Sequence, residues 1–150
     1  MGTTVASMTQ ADMDKLIEDH FDYEANRDVE GVLSTLTDDA VHDLIGDPIG
    51  PLRGREAIRP RYEHYYANLG PGQTTTNHRL YGDGFVVSDE TWTGPVPGEF
   101  LGIPGQGRSI SFRMLHVFEF GGGLIECESL WIDSGAVVAQ LSTETDDVSP

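Results

Sequence analysis

The second half of the chain alternates apolar and polar residues with a period of two, which is the spacing of side chains on one face of a β-strand. Four segments follow this pattern: Thr74–Tyr81, Phe85–Thr93, Arg108–Phe120 and Leu124–Ile132. The first two are joined by Gly82-Asp83-Gly84 and the last two by Gly121-Gly122-Gly123. Short glycine-containing connections of this kind are typical of β-hairpins, so the sequence predicts an antiparallel meander.

Helical spacing dominates before residue 70. Thr9 can cap a helix that runs to Arg27, and Asp28 can cap a short second helix that carries Leu36 and ends before Asp38. The remaining predicted elements are a strand at 40–45, a helix at 55–69 that bends or breaks near Pro60, and a closing helix at 136–141. This order predicts an α+β domain in which helices pack on one face of a curved antiparallel sheet.

Composition limits the partners of this domain. The chain of 150 residues suits one domain, and 25 Asp and Glu against 9 Lys and Arg give a net charge of −16. Such a charge repels nucleic acid and anionic membrane surfaces. Cys127 is the sole cysteine, which excludes an intramolecular disulfide, and no apolar run approaches a membrane span. We expect a cytoplasmic domain at 10–141, with flexible tails at 1–9 and 142–150, the second of them acidic.

One connection is unusually long and rich in turn-forming residues. Thr93–Gly107 contains five glycines and three prolines, with Phe100, Leu101 and Ile103 as its apolar members. Long connections within a compact domain often serve as lids or binding loops. A plain hairpin or a dimer contact is the alternative interpretation.

The strand at Arg108–Phe120 contains the most informative polar residue. Alternation places Ile110, Phe112, Met114, His116 and Phe118 on one face, so His116 interrupts an apolar surface. His116 is either a structural histidine satisfied by a polar neighbour, or an acid/base group in an apolar cavity. The next strand brings Glu128 near it if the face of Glu126, Glu128, Leu130 and Ile132 lines that cavity. A carboxylate beside an imidazole is a general acid/base pair, whereas a solvated strand face is the alternative.

Other polar residues give weaker signals. His42, Asp43 and Asp47 cluster at the end of the first strand, although Asp47-Pro48 is also a common turn opener. Trp92 and Trp131 could form the wall of a pocket. The sequence contains neither a phosphate-binding glycine-lysine loop nor a nucleophile elbow, and its histidines are not at helical zinc-site spacing.

Several segments together resemble the SnoaL-like polyketide cyclase branch of the nuclear transport factor 2-like superfamily. The matching segments are Asp38-Asp39-Ala40-Val41-His42-Asp43, Gly54-Arg55-Glu56-Ala57-Ile58, the glycine-rich stretch from Gly98 to Arg108, and the closing Glu128, Asp133 and Gln140-Leu141. The resemblance covers about residues 10–141. Ser142 stands where the family usually has glycine.

This resemblance implies a cone-shaped fold, in which a curved antiparallel sheet wraps around N-terminal helices and encloses one deep apolar cavity. It also implies dimerisation through the sheet, and acid/base chemistry such as aldol-type cyclisation or ketosteroid isomerisation. The family works without cofactors, and neither a cofactor nor a metal site is predicted. Because one fold supports several activities, the residues of the site have to decide between them.

The resemblance also implies roles for individual residues. In the cyclases a cavity carboxylate and histidines handle an enolate, and His42, His116 and Glu128 are the nearest counterparts here. The ketosteroid isomerases use an aspartate in a segment similar to Asp47-Pro48-Ile49-Gly50, with Asp47 as the base. The predicted catalytic residues are therefore His116, Glu128, His42 and, as the alternative base, Asp47. The predicted substrate-binding residues are His20, Trp92, Phe100, Ile103, Phe112, Met114, Leu130 and Trp131.

Three functions remain open from the sequence. The first is a cofactor-independent enzyme that enolises a neutral, carbonyl-bearing apolar small molecule, for cyclisation or isomerisation. The second is a non-catalytic binding or dimeric assembly module with the same cavity. The third and weaker one is a hydrolase that activates water.

Overall fold

The computed structural model describes residues 7–143. The predicted tails at 1–9 and 142–150 lie mostly outside the described residues. The helices are α1 (Gln10–Ala25), α2 (Val29–Ser34), α3 (Arg55–Asn68) and α4 (Ser134–Leu141). The strands are β1 (Leu36–Leu44), β2 (Leu52–Arg53), β3 (Gln73–Gly82), β4 (Phe85–Val96), β5 (Glu99–Phe100), β6 (Ile103–Pro104), β7 (Arg108–Gly121) and β8 (Leu124–Ile132).

Local sequence explains how α1 begins and which face it buries. The Thr9 hydroxyl accepts a hydrogen bond from the Asp12 amide at 3.1 Å, and the Asp12 carboxylate accepts one from the Thr9 amide at the same distance. This capping box satisfies two of the free N–H groups at the helix start. Met13, Ile17 and His20 are buried at helical intervals, so the inward face of α1 carries a histidine at its centre.

The start of β1 and the course of α3 differ from the sequence prediction. Strand β1 begins at Leu36, within the segment predicted as helix, because Leu36 pairs with Ile125 of β8 and the Ile125 amide donates to the Thr35 carbonyl at 2.9 Å. Helix α3 continues through Pro60 without interruption. Pro60 cannot donate to the Glu56 carbonyl, but both residues are exposed, so water can bind that carbonyl.

The main sheet has six strands in the order β2-β1-β8-β7-β4-β3. The predicted hairpins β3–β4 and β7–β8 are present, but the sheet is mixed rather than antiparallel because β1 runs parallel to β8. Alternation shows that a segment is a strand without showing its direction relative to a distant strand. The long connection also contains more structure than predicted, since β4 extends to Val96 and β5–β6 form a small hairpin.

The inner face of the sheet follows the predicted alternation in β7, where Ile110, Phe112, His116 and Phe118 are buried. In β8 the register shifts at Glu126, so that Phe120 pairs with Ile125 but Glu119 pairs with Cys127. The extra residue turns Glu128, Leu130 and Ile132 to the same side as Ile125. This bulge decides which face of β8 is the inner one, a question that the sequence left open.

Candidate active site

Glu128 lies at the centre of a buried polar cluster and is 1% exposed. Its Oε2 is 3.2 Å from Tyr62 Oη, 3.4 Å from His20 Nε2 and 3.9 Å from His42 Nε2. Its Oε1 is 3.4 Å from His116 Nε2. Helices α1 and α3 and strands β1, β7 and β8 therefore each contribute one side chain to a single carboxylate-centred group.

The hydrogen bonds of His20 indicate a charged imidazole. The Thr35 hydroxyl donates its one proton to the Val32 carbonyl at 2.6 Å, so it accepts from His20 Nδ1 at 2.7 Å. His20 Nε2 faces two carboxylates, Glu24 at 3.2 Å and Glu128 at 3.4 Å, and therefore also acts as a donor. Burial opposes this charge, but Glu128 and Glu24 outweigh it and raise the pKa of His20 to about 10.

His42 is held in the opposite state. Its Nδ1 lies 3.0 Å from Arg61 Nη1, and because a guanidinium only donates, Nδ1 accepts and the ring proton is on Nε2, towards Glu128. Burial lowers the pKa of His42, with Glu128 opposing and Arg61 adding to the effect. Arg61 is itself fixed by Asp47, whose carboxylate accepts from Arg61 Nη2 at 2.9 Å. His42 is thus a neutral ring whose Nε2–H faces Glu128 Oε2 from 3.9 Å, beyond hydrogen-bond distance.

His116 bridges two glutamates. Its Nδ1 contacts the fully buried Glu90, and its Nε2 faces Glu128. The other oxygen of Glu90 accepts from the Ser88 hydroxyl at 2.5 Å. Burial disfavours the charged ring, but Glu90 and Glu128 outweigh burial and raise the pKa of His116. The ring stacks on Phe118 at a centroid distance of 5.1 Å, which fixes its plane.

The cluster favours the charged form of Glu128. Burial alone would raise the pKa of this carboxyl. The charged His20, the Nε2–H dipole of neutral His42, the His20 hydrogen bond and the charged His116 together hold the pKa well below its ordinary value. Burial and the Glu128 charge raise the pKa of Tyr62 well above 10, so its hydroxyl stays a donor. Glu128 is thus a buried carboxylate surrounded by donors.

A pocket of about 340 Å³ opens onto this cluster. Its polar end includes His42, Tyr62, His116 and Glu128. Its apolar end is lined by Trp92, Phe100, Phe112, Met114, Leu130 and Ile132. The Phe112 ring lies 5.6 Å from Trp92 and 5.5 Å from Phe100 between centroids, which gives this end aromatic walls. Asp22, Arg27 and the segment 70–74, which leads into β3, also border the pocket.

The structure brings together three of the four predicted catalytic residues: His42, His116 and Glu128 surround one point, while Asp47 does not line the pocket. The Asp47 carboxylate accepts from the Ile49 amide at 2.9 Å in a turn and binds Arg61, so it supports His42 from behind. Tyr62, which contacts Glu128 directly, was not predicted as a site residue.

The predicted substrate-binding residues divide in a similar way. Trp92, Phe100, Phe112, Met114 and Leu130 line the pocket, whereas His20 lies behind Glu128 and Ile103 packs in the neighbouring apolar cluster. Trp131 does not line the pocket: it is on the outer face of β8 and 42% exposed, because neighbouring side chains of a strand point to opposite faces.

Sequence reasoning also missed Glu90. The alternation of β4 contains a signal for it, because Val86, Ser88 and Glu90 fall on one face and all three are buried. Glu90 pairs with Met114 in register, one pleat from His116. A carboxylate on the apolar side of a strand is informative in the same way as a histidine there.

Three residues of the cluster could in principle hold a metal ion. Donor atoms of His20, Glu24 and Glu128 lie within 4.8 Å of one another. The position of the three groups is already explained by the imidazolium of His20 between two carboxylates. A cation would bind there only if it displaced the proton on His20 Nε2.

Comparison with known proteins identifies relatives of this fold. The family profile described as the SnoaL-like domain matches residues 17–127. No curated protein sequence matches the chain. Within residues 7–143, no helix combines the length and hydropathy needed to cross a membrane.

Solved structures share the fold over most of both chains. A protein named as a candidate SnoaL-like polyketide cyclase from Jannaschia sp. CCS1 is 15% identical, with a TM-score of 0.80 over 97% of this chain and 99% of that one. TsrD from Streptomyces laurentii is 21% identical, with a TM-score of 0.79 over 90% and 98%. TerC, co-crystallised with polyporic acid, is 17% identical, with a TM-score of 0.72 over 88% and 99%. At these identities the similarity concerns the fold alone.

Proposed function

Because the chain belongs to the SnoaL-like domain family, we propose that it is a cofactor-independent acid/base enzyme that enolises a carbonyl-bearing apolar small molecule. One observation carries this proposal. A buried ionised carboxylate, Glu128, lies at the polar end of an aromatic pocket within 3.9 Å of three histidine nitrogens and 3.2 Å of a tyrosine hydroxyl.

The protonation states assign a role to each group. Glu128 is the group that can accept a proton, so it removes the proton from the carbon next to the substrate carbonyl. The C–H electron pair becomes the C=C bond of the enolate, and the carbonyl oxygen takes the displaced pair. The charged His116 donates its Nε2 proton to that oxygen, with neutral His42 as a second donor. In isomerisation, Glu128 returns its proton to a different carbon while His116 takes back the proton from the enol oxygen. In aldol-type cyclisation, the enol carbon attacks a second carbonyl, whose oxygen takes the proton from Glu128, and His116 takes back the proton from the first oxygen.

The three histidines that hold the Glu128 charge also make it a weak base in the resting site. When His116 gives its proton to the substrate oxygen, one positive charge near Glu128 disappears. Since opposite charges are what lower the pKa of Glu128, its affinity for the carbon proton rises at that moment. Proton donation and proton removal thus assist each other within the low-dielectric pocket.

The pocket limits the size and polarity of the substrate. A volume of about 340 Å³ lies near the lower end of the roughly 300–1,000 Å³ range of small-molecule sites. Trp92, Phe100 and Phe112 suit a flat apolar body, while the carbonyl points to His116 and His42. Phe100 is carried by the β5–β6 hairpin, which we propose acts as a lid over this end. TerC, which shares this fold, was co-crystallised with polyporic acid, and this is consistent with a small-molecule ligand for the present protein.

The outer face of the sheet carries exposed apolar side chains, which support a homodimer as the functional form of the protein. Leu115 pairs with Trp131 and Leu80 pairs with Val87 on this face, and Leu80, Leu115 and Trp131 are 57%, 38% and 42% exposed. Burial of such a patch between two copies would remove it from water. Light scattering after gel filtration should give the dimer mass, and Leu115→Asp should give the monomer mass. A monomeric unmodified protein would contradict the dimer.

The experiment that tests the enzymatic proposal follows exchange of the α-protons of a ketone in D₂O by NMR. We would use 2-tetralone, a flat bicyclic ketone with acidic α-protons. The unmodified protein should accelerate exchange, and Glu128→Gln, which keeps the shape but not the base, should lose about 10²–10⁴-fold of the acceleration. Glu126→Gln, an exposed position of the same strand, and Asp47→Asn, outside the pocket, should retain most of it.

Two outcomes would contradict this proposal. Equal exchange rates for Glu128→Gln and the unmodified protein would exclude Glu128 as the base. Binding of the ketone without exchange, unaffected by Glu128→Gln, would favour a non-catalytic binding module. Thermal unfolding of each variant shows whether a loss of exchange reflects loss of the fold.

A further inference from the structure

Arg79, Ser88 and His116 lie in one row across three adjacent strands of the sheet. Arg79 of β3 pairs with Ser88 of β4, and Ser88 pairs with His116 of β7. Arg79 is in a second cleft, between α1 and β3, that also contains Glu18 and Tyr81. The row therefore joins a surface cleft to the interior of the site.

The hydrogen bonds along this row have one possible direction. Arg79 Nε donates to the Ser88 hydroxyl oxygen at 3.2 Å, and a guanidinium cannot accept in return. The Ser88 proton is therefore free for the Glu90 carboxylate, which it reaches at 2.5 Å. The second oxygen of Glu90 contacts His116 Nδ1. With Ser88 and Glu90 both fully buried, Ser88 and His116 supply one donor to each oxygen of Glu90.

We propose that Arg79 and Ser88 are positioning residues that keep a proton on Nδ1 of His116. Ser88 donates to one oxygen of Glu90, and Arg79 keeps the Ser88 hydroxyl oriented as that donor. If Ser88 were lost, one oxygen of the buried carboxylate would have no donor, and Glu90 would attract the Nδ1 proton more strongly. His116 would then become a neutral ring, which is a weaker acid towards the pocket.

The carboxylates that act on His116 come from three elements besides its own. They are Glu90 of β4, Glu128 of β8 and Glu24 of α1. All three favour the charged ring, and burial opposes it. Glu90 is the one in contact with Nδ1, so a change in its second hydrogen bond acts on the ring most directly. Arg79 itself is held by Asp14 at 2.9 Å, with Glu18 at 3.9 Å.

The proton position is measured without substrate, by ¹⁵N NMR of the histidine ring nitrogens, because protonated and unprotonated nitrogens give well-separated signals. In the unmodified protein His116 Nδ1 should show the protonated signal. Ser88→Ala should move it towards the unprotonated value, and Arg79→Met should do so to a smaller extent. Arg79→Lys retains a donor and should restore part of the original signal.

Asp14→Asn is the matched control. It breaks the ion pair of Arg79 with α1 but leaves Arg79 Nε on Ser88, so the His116 signal should stay unchanged. An unchanged Nδ1 signal in folded Ser88→Ala, or in folded Arg79→Met if the first variant does not fold, would overturn the proposal. A shift in Asp14→Asn equal to that in Arg79→Met would show that displacement of α1, not the Ser88 hydrogen bond, is responsible.

The catalytic consequence rests on the proposed function, whereas the proton position does not. Because neither residue lines the pocket, Ser88→Ala should lower kcat of ketone exchange about tenfold with KM unchanged. A shifted ¹⁵N signal without any exchange activity in the unmodified protein would refute the enzyme and retain the positioning role. Exchange activity in the unmodified protein, together with an unshifted Nδ1 signal in Ser88→Ala, would retain the enzyme and refute the positioning role.

Discussion

Replacement of His20 by glutamine removes a buried positive charge whose contribution to stability depends on pH. The folded protein holds the His20 proton with a pKa of about 10, against an ordinary value of 6.5. The stabilisation is therefore complete below pH 6.5 and is lost as the pH rises through about 10. Between these values each pH unit removes about 1.4 kcal/mol, so raising the pH from 7 to 9 should remove about 3 kcal/mol.

Urea unfolding at pH 7, 8 and 9 measures this difference. The free energy of unfolding of the unmodified protein should fall more steeply than that of His20→Gln, and the difference between the two should shrink by about 3 kcal/mol from pH 7 to 9. His64→Gln, which makes the same substitution at an exposed position, is the matched control. Parallel lines for His20→Gln and the unmodified protein would refute a charged His20.

Three further predictions follow from packing and charge. Phe118 is fully buried and stacks on His116, so Phe118→Ala should cost about 3–5 kcal/mol in urea unfolding. A Cβ on Gly105 would lie 2.1 Å from the Val96 carbonyl oxygen, so Gly105→Ala should destabilise by about 1–3 kcal/mol and lower the thermal midpoint. Ketone exchange needs a charged Glu128 and a charged His116. Because the pKa of Glu128 is lowered and that of His116 is raised, the exchange rate should be flat near neutral pH. The rate should fall above the raised pKa of His116, where this ring loses its proton, and at pH values below the ordinary pKa of a glutamate, where Glu128 becomes protonated.

Several elements could be predicted because their causes are local. The capping residue Thr9 and the spacing of Met13, Ile17 and His20 define α1. Alternation in β7 identifies His116 as a polar residue on a buried face. These signals depend on neighbours within a few residues, which are present in the sequence itself.

The misplaced residues depend on contacts between distant segments. Leu36 was predicted to lie in a helix, but it begins β1 because it pairs in parallel with Ile125 of β8. Trp131 was predicted to line the pocket and bind substrate, but the face of a strand is set by pairing and by the bulge at Glu126. Asp47 was a candidate base by its sequence context, and its contact with Arg61 draws it away from the pocket.

The sequence by itself determined the α+β class, the hairpins, and the presence of a histidine and a glutamate on neighbouring strands. The tertiary structure alone decided that His20, His42, His116, Tyr62 and Glu128 meet at one point, and that Glu90 and Arg61 impose different proton positions on two of the histidines. The reason is physical. Side-chain periodicity is a property of the local backbone, whereas burial, charge and the direction of a hydrogen bond are fixed by groups that the chain brings together from far apart.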